Sequence, residues 1–364
     1  MRDGKKVLIG MSAEELGGVV SALGLRQYAA RQIMRRLYVS HVTDVREMTE
    51  LSKESRDALA EEYVVGSMAP VASRRSADGT VKYLFPTSGG KSVEAVFIPD
   101  KDRGTLCVSS QVGCRMGCRF CMTGKQGFEG NLTAGDILNQ VYALPERARL
   151  TNIVFMGQGE PLDNIDAVLG ATRLLTSPEA YAWSPKRITI STVGVRRTMR
   201  RLLEESDCHV AVSLHSPSHE ERLSLVPAER QMPIESIVEL LRGYDFTRQR
   251  RLSFEYTVFG GLNDSARHAK AIVRLVGGLK CRVNLIRFHP VPGVDLRPAT
   301  EETMTIFRDY LTAHGVYTTI RASRGQDIFA ACGMLSTTHR KGGSEVGEQT
   351  GKGSGINAAS HTSH

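Results

Sequence analysis

Apolar residues recur along this chain in two different rhythms. Leu16, Val19, Val20 and Leu23 share one helical face behind Ser12, and Glu15 completes a capping-box start. Residues 27–38 set Ile33, Met34 and Leu37 on one side and arginines on the other, and a third helix is predicted over about 52–63. From about residue 80 the rhythm changes to short strand-like runs: 93–98, 105–110, 152–156, 187–191, 209–214, 252–258, 283–288 and 317–321. Amphipathic helical stretches lie between many of them, at 133–144, 234–241 and 300–314. Thr133 with Asp136, and Thr300 ahead of an acidic pair, read as helix starts. Strand–helix alternation predicts an α/β fold whose parallel sheet curls into a barrel or part of one. Chemistry is then expected at the C-terminal ends of the strands. Residues 336–364 are rich in Gly, Ser and Thr and nearly lack aliphatics, which predicts a disordered tail. The expected organisation is a helical module over 1–70, a barrel over 71–335 and that tail.

Composition narrows the partners. No apolar run approaches the roughly 20 residues that span a bilayer, and the apolar stretch within MRDGKKVLIG is too short for a signal peptide. Seven cysteines, an odd number and partly clustered, argue for a reducing cytoplasm and against a disulfide framework. A cytoplasmic enzyme that avoids membranes is the simplest expectation. Lys and Arg number 47 against 39 Asp and Glu, a net charge of +8 that suits a polyanion such as RNA. The arginines bunch at Arg31, Arg35 and Arg36; Arg74 and Arg75; Arg196, Arg197, Arg200 and Arg201; and Arg248, Arg250 and Arg251. Each bunch reads equally well as a phosphate-gripping patch or as a solvated helix face. His361 and His364 sit in the tail and carry no weight as a metal site.

Cys114, Cys118 and Cys121 lie in CRMGCRFC, a C-x3-C-x2-C spacing on a predicted loop after the 105–110 strand. A four-iron cubane normally takes four thiolates, so three leave one iron open to a ligand. A zinc site missing a ligand, or reduced cysteines near one another by chance, remains the alternative. Structural zinc wants four ligands and usually a second pair. With Phe120 before the last cysteine, the spacing resembles the radical S-adenosylmethionine (SAM) superfamily. The surrounding TLCVSSQVGCRMGCRFCMTGKQGF resembles its RlmN/Cfr RNA methyltransferase branch, from about residue 10 to 335.

The resemblance implies a partial (β/α)6 barrel with a small N-terminal helical accessory domain, a [4Fe-4S] cluster and two SAM per turnover. It implies methylation of adenosine C2 in 23S rRNA, at the peptidyl transferase centre, and in tRNA beside the anticodon. An external, flavodoxin-like electron donor is implied as well. In GQGEP, two glycines at a strand end let backbone approach a ligand, and Glu160 offers a carboxylate to an ammonium group. Family likeness makes this loop, with Gly159, the holder of SAM's amino group, although the family more often has Met at Gln158. The strand-end residues Ser191, Ser213, Leu214 and His215 are implied SAM contacts. So is His289, where many relatives have Asn. Cys332 in FAACGML is implied to take a methyl group, and the resulting carbon, activated as a radical, to add to the base. Glu94 is then implied to remove the C2 proton, and Cys107 to attack the Cys332 sulfur and leave a transient Cys107–Cys332 disulfide. Cys208 and Cys281 adjoin apolar strands and read as small buried hydrophobes. Two rivals stand beside this reading. One is a Cfr-type C8 methyltransferase with the same cysteines. The other is a noncatalytic iron–sulfur protein that binds RNA or senses redox state.

Overall fold

The computed structural model describes residues 4–246 and 250–335. Arg248 and the expected disordered tail lie outside the described residues. The chain opens with β1 (Lys6–Val7) and three helices, Ala13–Ala22, Tyr28–Tyr38 and Lys53–Glu62, then β2 (Tyr63–Val64), which pairs in parallel with β1. Ser12 and Glu15 form the expected capping box, each side chain bonding the other's backbone N–H. Leu16, Val19, Val20, Ile33, Met34 and Leu37 are all buried, as their spacing requires. They join one continuous apolar core with the strands of the main sheet, so this helical layer packs on the barrel.

The main sheet contains β3 (Ala72–Arg75), β4 (Val81–Pro86), β5 (Ser92–Asp100) and β6 (Arg103–Cys107). A separate hairpin, β7 (Gln111–Gly113) with β8 (Phe128–Asn131), brackets the three-cysteine loop. The main sheet continues with β9 (Asn152–Phe155), β10 (Ile188–Thr192), β11 (His209–Ser213), β12 (Leu252–Val258), β13 (Cys281–Arg287) and β14 (Tyr317–Ile320). Its order is β14-β13-β12-β11-β10-β9-β6-β5-β4-β3. The run from β6 through β14 is parallel throughout, with helices packed between successive strands. That is the partial-barrel α/β architecture expected.

Two local expectations change. Residues 93–98 belong to β5, which runs antiparallel to both β4 and β6, because tight turns rather than helices connect these strands. The 105–110 run stops at Cys107, where the chain leaves the sheet. The Ser109 N–H donates to the Gln140 side chain and the Ser110 N–H to the Gln158 carbonyl. Cys107 therefore sits at a strand end, where the barrel opens, rather than inside a strand. Cys208 is buried in the main core, in keeping with its reading as a small hydrophobe.

Candidate active site

Three loops at the open end of the barrel build the central cavity. The cysteine loop leaves β7, and a short helix, Met122–Gln126, begins directly after Cys121. Cys114, Cys118 and Cys121 all line the cavity, in a shell that includes Met116, Phe120 and Phe288. Burial pushes the Cys118 thiol far up, reinforced by Cys121 and Cys114, and raises Cys114 to about 12 by the same cause. Such crowded, dry thiols are costly to ionise unless metal compensates them. Among the described residues no three His, Cys, Asp or Glu side chains gather as one metal ion would require.

The GQGEP loop follows β9. A Cβ on Gly157 would lie 2.7 Å from the Val108 carbonyl oxygen, and Gly159 has φ +99 with the Gln111 amide nitrogen 2.7 Å from its virtual Cβ. Both glycines are therefore fixed by close packing against the chain leaving β6. Glu160 is buried and lines the cavity. Its oxygens accept from the Leu162 and Val193 N–H groups, each at 3.0 Å. Burial lifts its carboxyl to about 7, against the pull of these bonds and of Thr192. Gln158 is committed at both ends of its side chain. Its side chain accepts from the Glu94 N–H at 3.0 Å, tying this loop to β5.

Ser191, Ser213, His215 and His289 line the same cavity, as expected. Leu214 does not; its side chain is buried in the main core. His215 adopts a left-handed conformation (φ +54), meets Phe120 edge to face at 4.7 Å, and accepts the Thr257 N–H at Nδ1. Burial, aided by nearby Arg222, depresses it to about 3, so it is a neutral ring that donates from Nε2. His289 Nε2 pairs with Ser323 Oγ at 3.0 Å.

The third loop carries Cys332. The Met122 N–H donates to the Gly333 carbonyl and Thr123 Oγ1 to the Leu335 carbonyl, pinning this loop to the helix behind the cysteine loop. Cys332 lines the central cavity and also a second one shared with Cys107, Met156 and Arg321. Both thiols are free, so no disulfide joins Cys107 and Cys332 in this state and the implied bridge is not a resting feature of the fold. Glu94 lies on the face of β5 that also carries Val96, the register partner of Cys107. It is buried and ion-paired with Lys82 at 3.1 Å, and Lys82 in turn donates to the Phe329 carbonyl of the Cys332 loop.

Comparison with known proteins decides the family. A model described as the radical SAM superfamily matches residues 108–272, and one described as the ribosomal RNA large subunit methyltransferase N-terminal domain matches 7–65. A probable dual-specificity RNA methyltransferase RlmN of Bacteroides fragilis is 60% identical over 93% of this chain and 98% of its own. The RlmN of Halorhodospira halophila is 43% identical over 92% and 94%. The chain belongs to the RlmN family of radical SAM methyltransferases. A crystal structure of a radical SAM methyltransferase from Sphaerobacter thermophilus superposes with a TM-score of 0.85 at 41% identity, covering 90% of this chain and 98% of that one. The protein is thus an enzyme, and the noncatalytic reading falls. Membership in the RlmN family implies a [4Fe-4S] cluster and SAM. The crowded thiols and the polar strand ends beside them fit that pair.

Sequence reasoning missed two ion pairs here, one fully buried and one between a buried carboxylate and a partly exposed guanidinium. Arg222, fully buried, is paired with Glu229 and donates to the carbonyls of Val193, Ser213 and Leu214, bracing the strand ends around the cavity. Arg321 is paired with Glu255 beside Cys332. Neither pair has a spacing signal, because the partners meet only when loops and strands are assembled. The arginine bunches also divide. Arg31, Arg36, Arg75, Arg200 and Arg201 form ion pairs with acidic side chains, whereas Arg35, Arg74, Arg196 and Arg197 are exposed with no ion pair among the described residues.

Proposed function

We propose that this enzyme methylates C2 of adenosine in 23S rRNA, at the peptidyl transferase centre, and in tRNA beside the anticodon. The observation that carries the reading is the meeting of Cys332 and Cys107 at one cavity, continuous through Cys332 with the cavity of the three clustered cysteines. An electrophilic ring carbon cannot attack a sulfonium methyl group, so a nucleophilic thiolate must carry the carbon first. The relatives are dual-specificity RNA methyltransferases by name, which fits an enzyme with two kinds of RNA substrate.

In this reading Cys114, Cys118 and Cys121 hold the cluster. Gly159, Glu160, Ser191, Ser213, the Leu214 backbone, His215 and His289 hold SAM. Together these groups supply a transferable methyl and, with one electron from a flavodoxin-like donor, the radical that activates it. Cys332 forms the new sulfur–carbon bond as the sulfonium carbon–sulfur bond breaks. After the carbon joins the base, the adduct gives up its odd electron, which the bound cluster would take back, and Glu94 accepts the C2 proton. Cys107 attacks the Cys332 sulfur, so a disulfide forms as the Cys332 sulfur–carbon bond breaks. The electron pair leaves on the carbon attached to the base, which takes a proton from solvent to become the methyl group as the RNA is released. Lys82 holds the Glu94 carboxylate on the face that Cys107 shares. Residues 1–70 act as an accessory RNA-gripping module and 71–335 as the catalytic barrel, working in the cytoplasm. Exposed Arg35, Arg74, Arg196 and Arg197 are placed to meet phosphates. No helix among the described residues is long and apolar enough to cross a membrane.

The test is nucleoside mass spectrometry of rRNA and tRNA incubated with anaerobically reconstituted enzyme. 2-Methyladenosine in both supports the proposal, and 8-methyladenosine establishes the C8 rival instead. Cys107→Ala should leave RNA covalently attached to Cys332; with no adduct, Cys107 has no part in release.

A further inference from the structure

The reaction steps above use the C-terminal ends of the barrel strands and leave their N-terminal ends without a task. Those ends carry a row of cations. Lys186 and Arg187 precede β10, His209 opens β11, Arg250 and Arg251 precede β12, Lys280 precedes β13, Arg282 is its second residue, and Tyr317 opens β14. The five strands are consecutive neighbours in the sheet. Leu252 pairs with Cys281 and Arg282 with Tyr317, so Arg251, Lys280 and Arg282 start adjacent strands, which lie about 4.8 Å apart. Arg250, Arg251, Lys280, Arg282 and Tyr317 line one cavity there. Arg251 and Lys280 are exposed, and neither they nor Arg282 has a salt-bridge partner among the described residues. Arg282 instead lies over the Tyr317 ring, 5.7 Å from its centroid. Arg250 donates from Nη1 to the Leu203 carbonyl at 2.8 Å and feels the Asp207 carboxylate, while its Nε is buried with no hydrogen-bond partner among the described residues. The field is visible at His209: burial, then Arg251, Arg282, Lys186 and Arg250, depress its imidazole to about 4. Like charges gathered this closely repel one another, a cost that a bound polyanion removes.

We propose that Arg251, Lys280 and Arg282 form a second RNA contact, on the end of the barrel opposite the active site, that grips the phosphate backbone of the substrate away from the target base. β12 and β13 are seven residues long, so at least about 20 Å separates this row from Thr257, Arg287 and Phe288 at the central cavity. A folded RNA spans that distance, whereas a free nucleotide does not. Lysine and arginine meet phosphates without reading sequence, which suits an enzyme with more than one RNA substrate. The occupant is a nucleic acid rather than a protein. Protein interfaces are built round an apolar centre, and among the residues that open these strands Tyr317 alone is a large exposed hydrophobic, 60% exposed. An exposed aromatic among cations is instead what the unpaired segments of a folded RNA meet. Contact of this kind adds affinity for long RNA and none for an isolated target loop. The inference rests on RNA as the substrate class, and not on which adenine carbon is methylated.

The experiment measures binding of the reconstituted full-length enzyme to a long 23S rRNA fragment by fluorescence anisotropy, across a series of salt concentrations. Each phosphate contact contributes about 0.7–0.9 to the slope of log K against log salt. Arg251→Gln combined with Lys280→Gln should therefore make the slope shallower by about 1.5 and weaken binding about tenfold near 0.1 M salt. Adding Arg282→Gln should remove about 0.8 more. Lys270→Gln, at an exposed lysine on the outer helix Ala266–Val276, should keep the parent slope, which separates the row from bulk charge. A short hairpin carrying just the target loop should bind the parent and the double variant alike. Unchanged urea midpoints confirm intact folds, and Lys280→Gln alone, with a change of about 0.8, stands in if the double variant does not fold. An unchanged slope in the double variant overturns the proposal, and so does a loss that Lys270→Gln reproduces. Equal weakening for the hairpin overturns it too, because it would put the row at the catalytic end. If the double variant keeps its RNA slope but loses reduction by a flavodoxin, the row receives an acidic protein and the proposal fails. If the parent methylates no adenosine while the slope change holds, the functional reading fails and the contact stands. If 2-methyladenosine forms while the slope ignores the double change, the contact alone fails.

Discussion

Replacing Arg222 with Met should be among the most destabilising single changes in the barrel. The side chain is fully buried and its guanidinium serves four acceptors: Glu229 and the carbonyls of Leu214, Val193 and Ser213. Met fills similar volume but donates nothing. Glu229, itself fully buried, then keeps, among the described residues, His219 Nδ1 at 2.9 Å and the Ile234 N–H at 3.1 Å. Removing one partner of a buried pair costs about 3–5 kcal/mol, mostly from the stranded charge. A smaller part is the donor lost to the Val193 and Ser213 carbonyls, at about 1 kcal/mol for an orphaned acceptor, whereas the Leu214 carbonyl keeps the Ser216 N–H at 2.6 Å. With an m-value near 3 kcal/mol per M, urea midpoints should fall by roughly 1–1.7 M. The assay is urea unfolding of cluster-free protein followed by circular dichroism. Glu229→Gln should also destabilise, because it strands the guanidinium. The double change Arg222→Met with Glu229→Leu should cost at least about 2 kcal/mol less than the sum of Arg222→Met and Glu229→Leu alone. Strict additivity, or a loss below about 1 kcal/mol for Arg222→Met, would refute the claim that this pair braces the cavity rim.

Gly159→Ala should abolish cofactor binding while leaving most of the fold, because the new Cβ would press within 2.7 Å of the Gln111 amide nitrogen at φ +99; calorimetric titration of reconstituted enzyme with SAM reads this. Alanine at Cys114, Cys118 or Cys121 should give colourless protein after anaerobic reconstitution, and a variant that retains full iron removes that cysteine from the ligand set. His215 is held neutral, with its folded value depressed to about 3 from 6.5. The unfolded chain therefore takes up the proton first, and stability falls as pH drops from about 6.5 toward 3. His215→Gln, which keeps an acceptor for the Thr257 N–H, should flatten that acid-side slope, whereas an unchanged slope assigns it to His41 and His209, both lowered to about 4. Because the target base must leave its stack, naked rRNA should be methylated faster than assembled large subunits, and equal rates would contradict this.

Sequence alone was enough for whatever depends on short spacing. Three cysteines within eight residues announced a candidate cluster loop, GQGEP announced a backbone-close turn, and Ser12 with Glu15 announced a helix start. Alternating strands and helices gave the barrel class, since period and turn chemistry are local properties. Strand direction was less legible: β5 looked like its neighbours because its buried pattern is the same whichever way it runs. What only the tertiary structure decided were meetings across the chain. Cys332 reaches the cavity of Cys107 because its loop is pinned behind the cysteine loop through Met122 and Thr123. Leu214 turned inward to the core while its neighbours Ser213 and His215 faced the cavity. Arg222 with Glu229 and Arg321 with Glu255 carry no signal in the sequence, because the partners meet only in the assembled fold. Charge acquires such a role only once burial strips its water and leaves a single partner within reach, and burial belongs to the assembled fold.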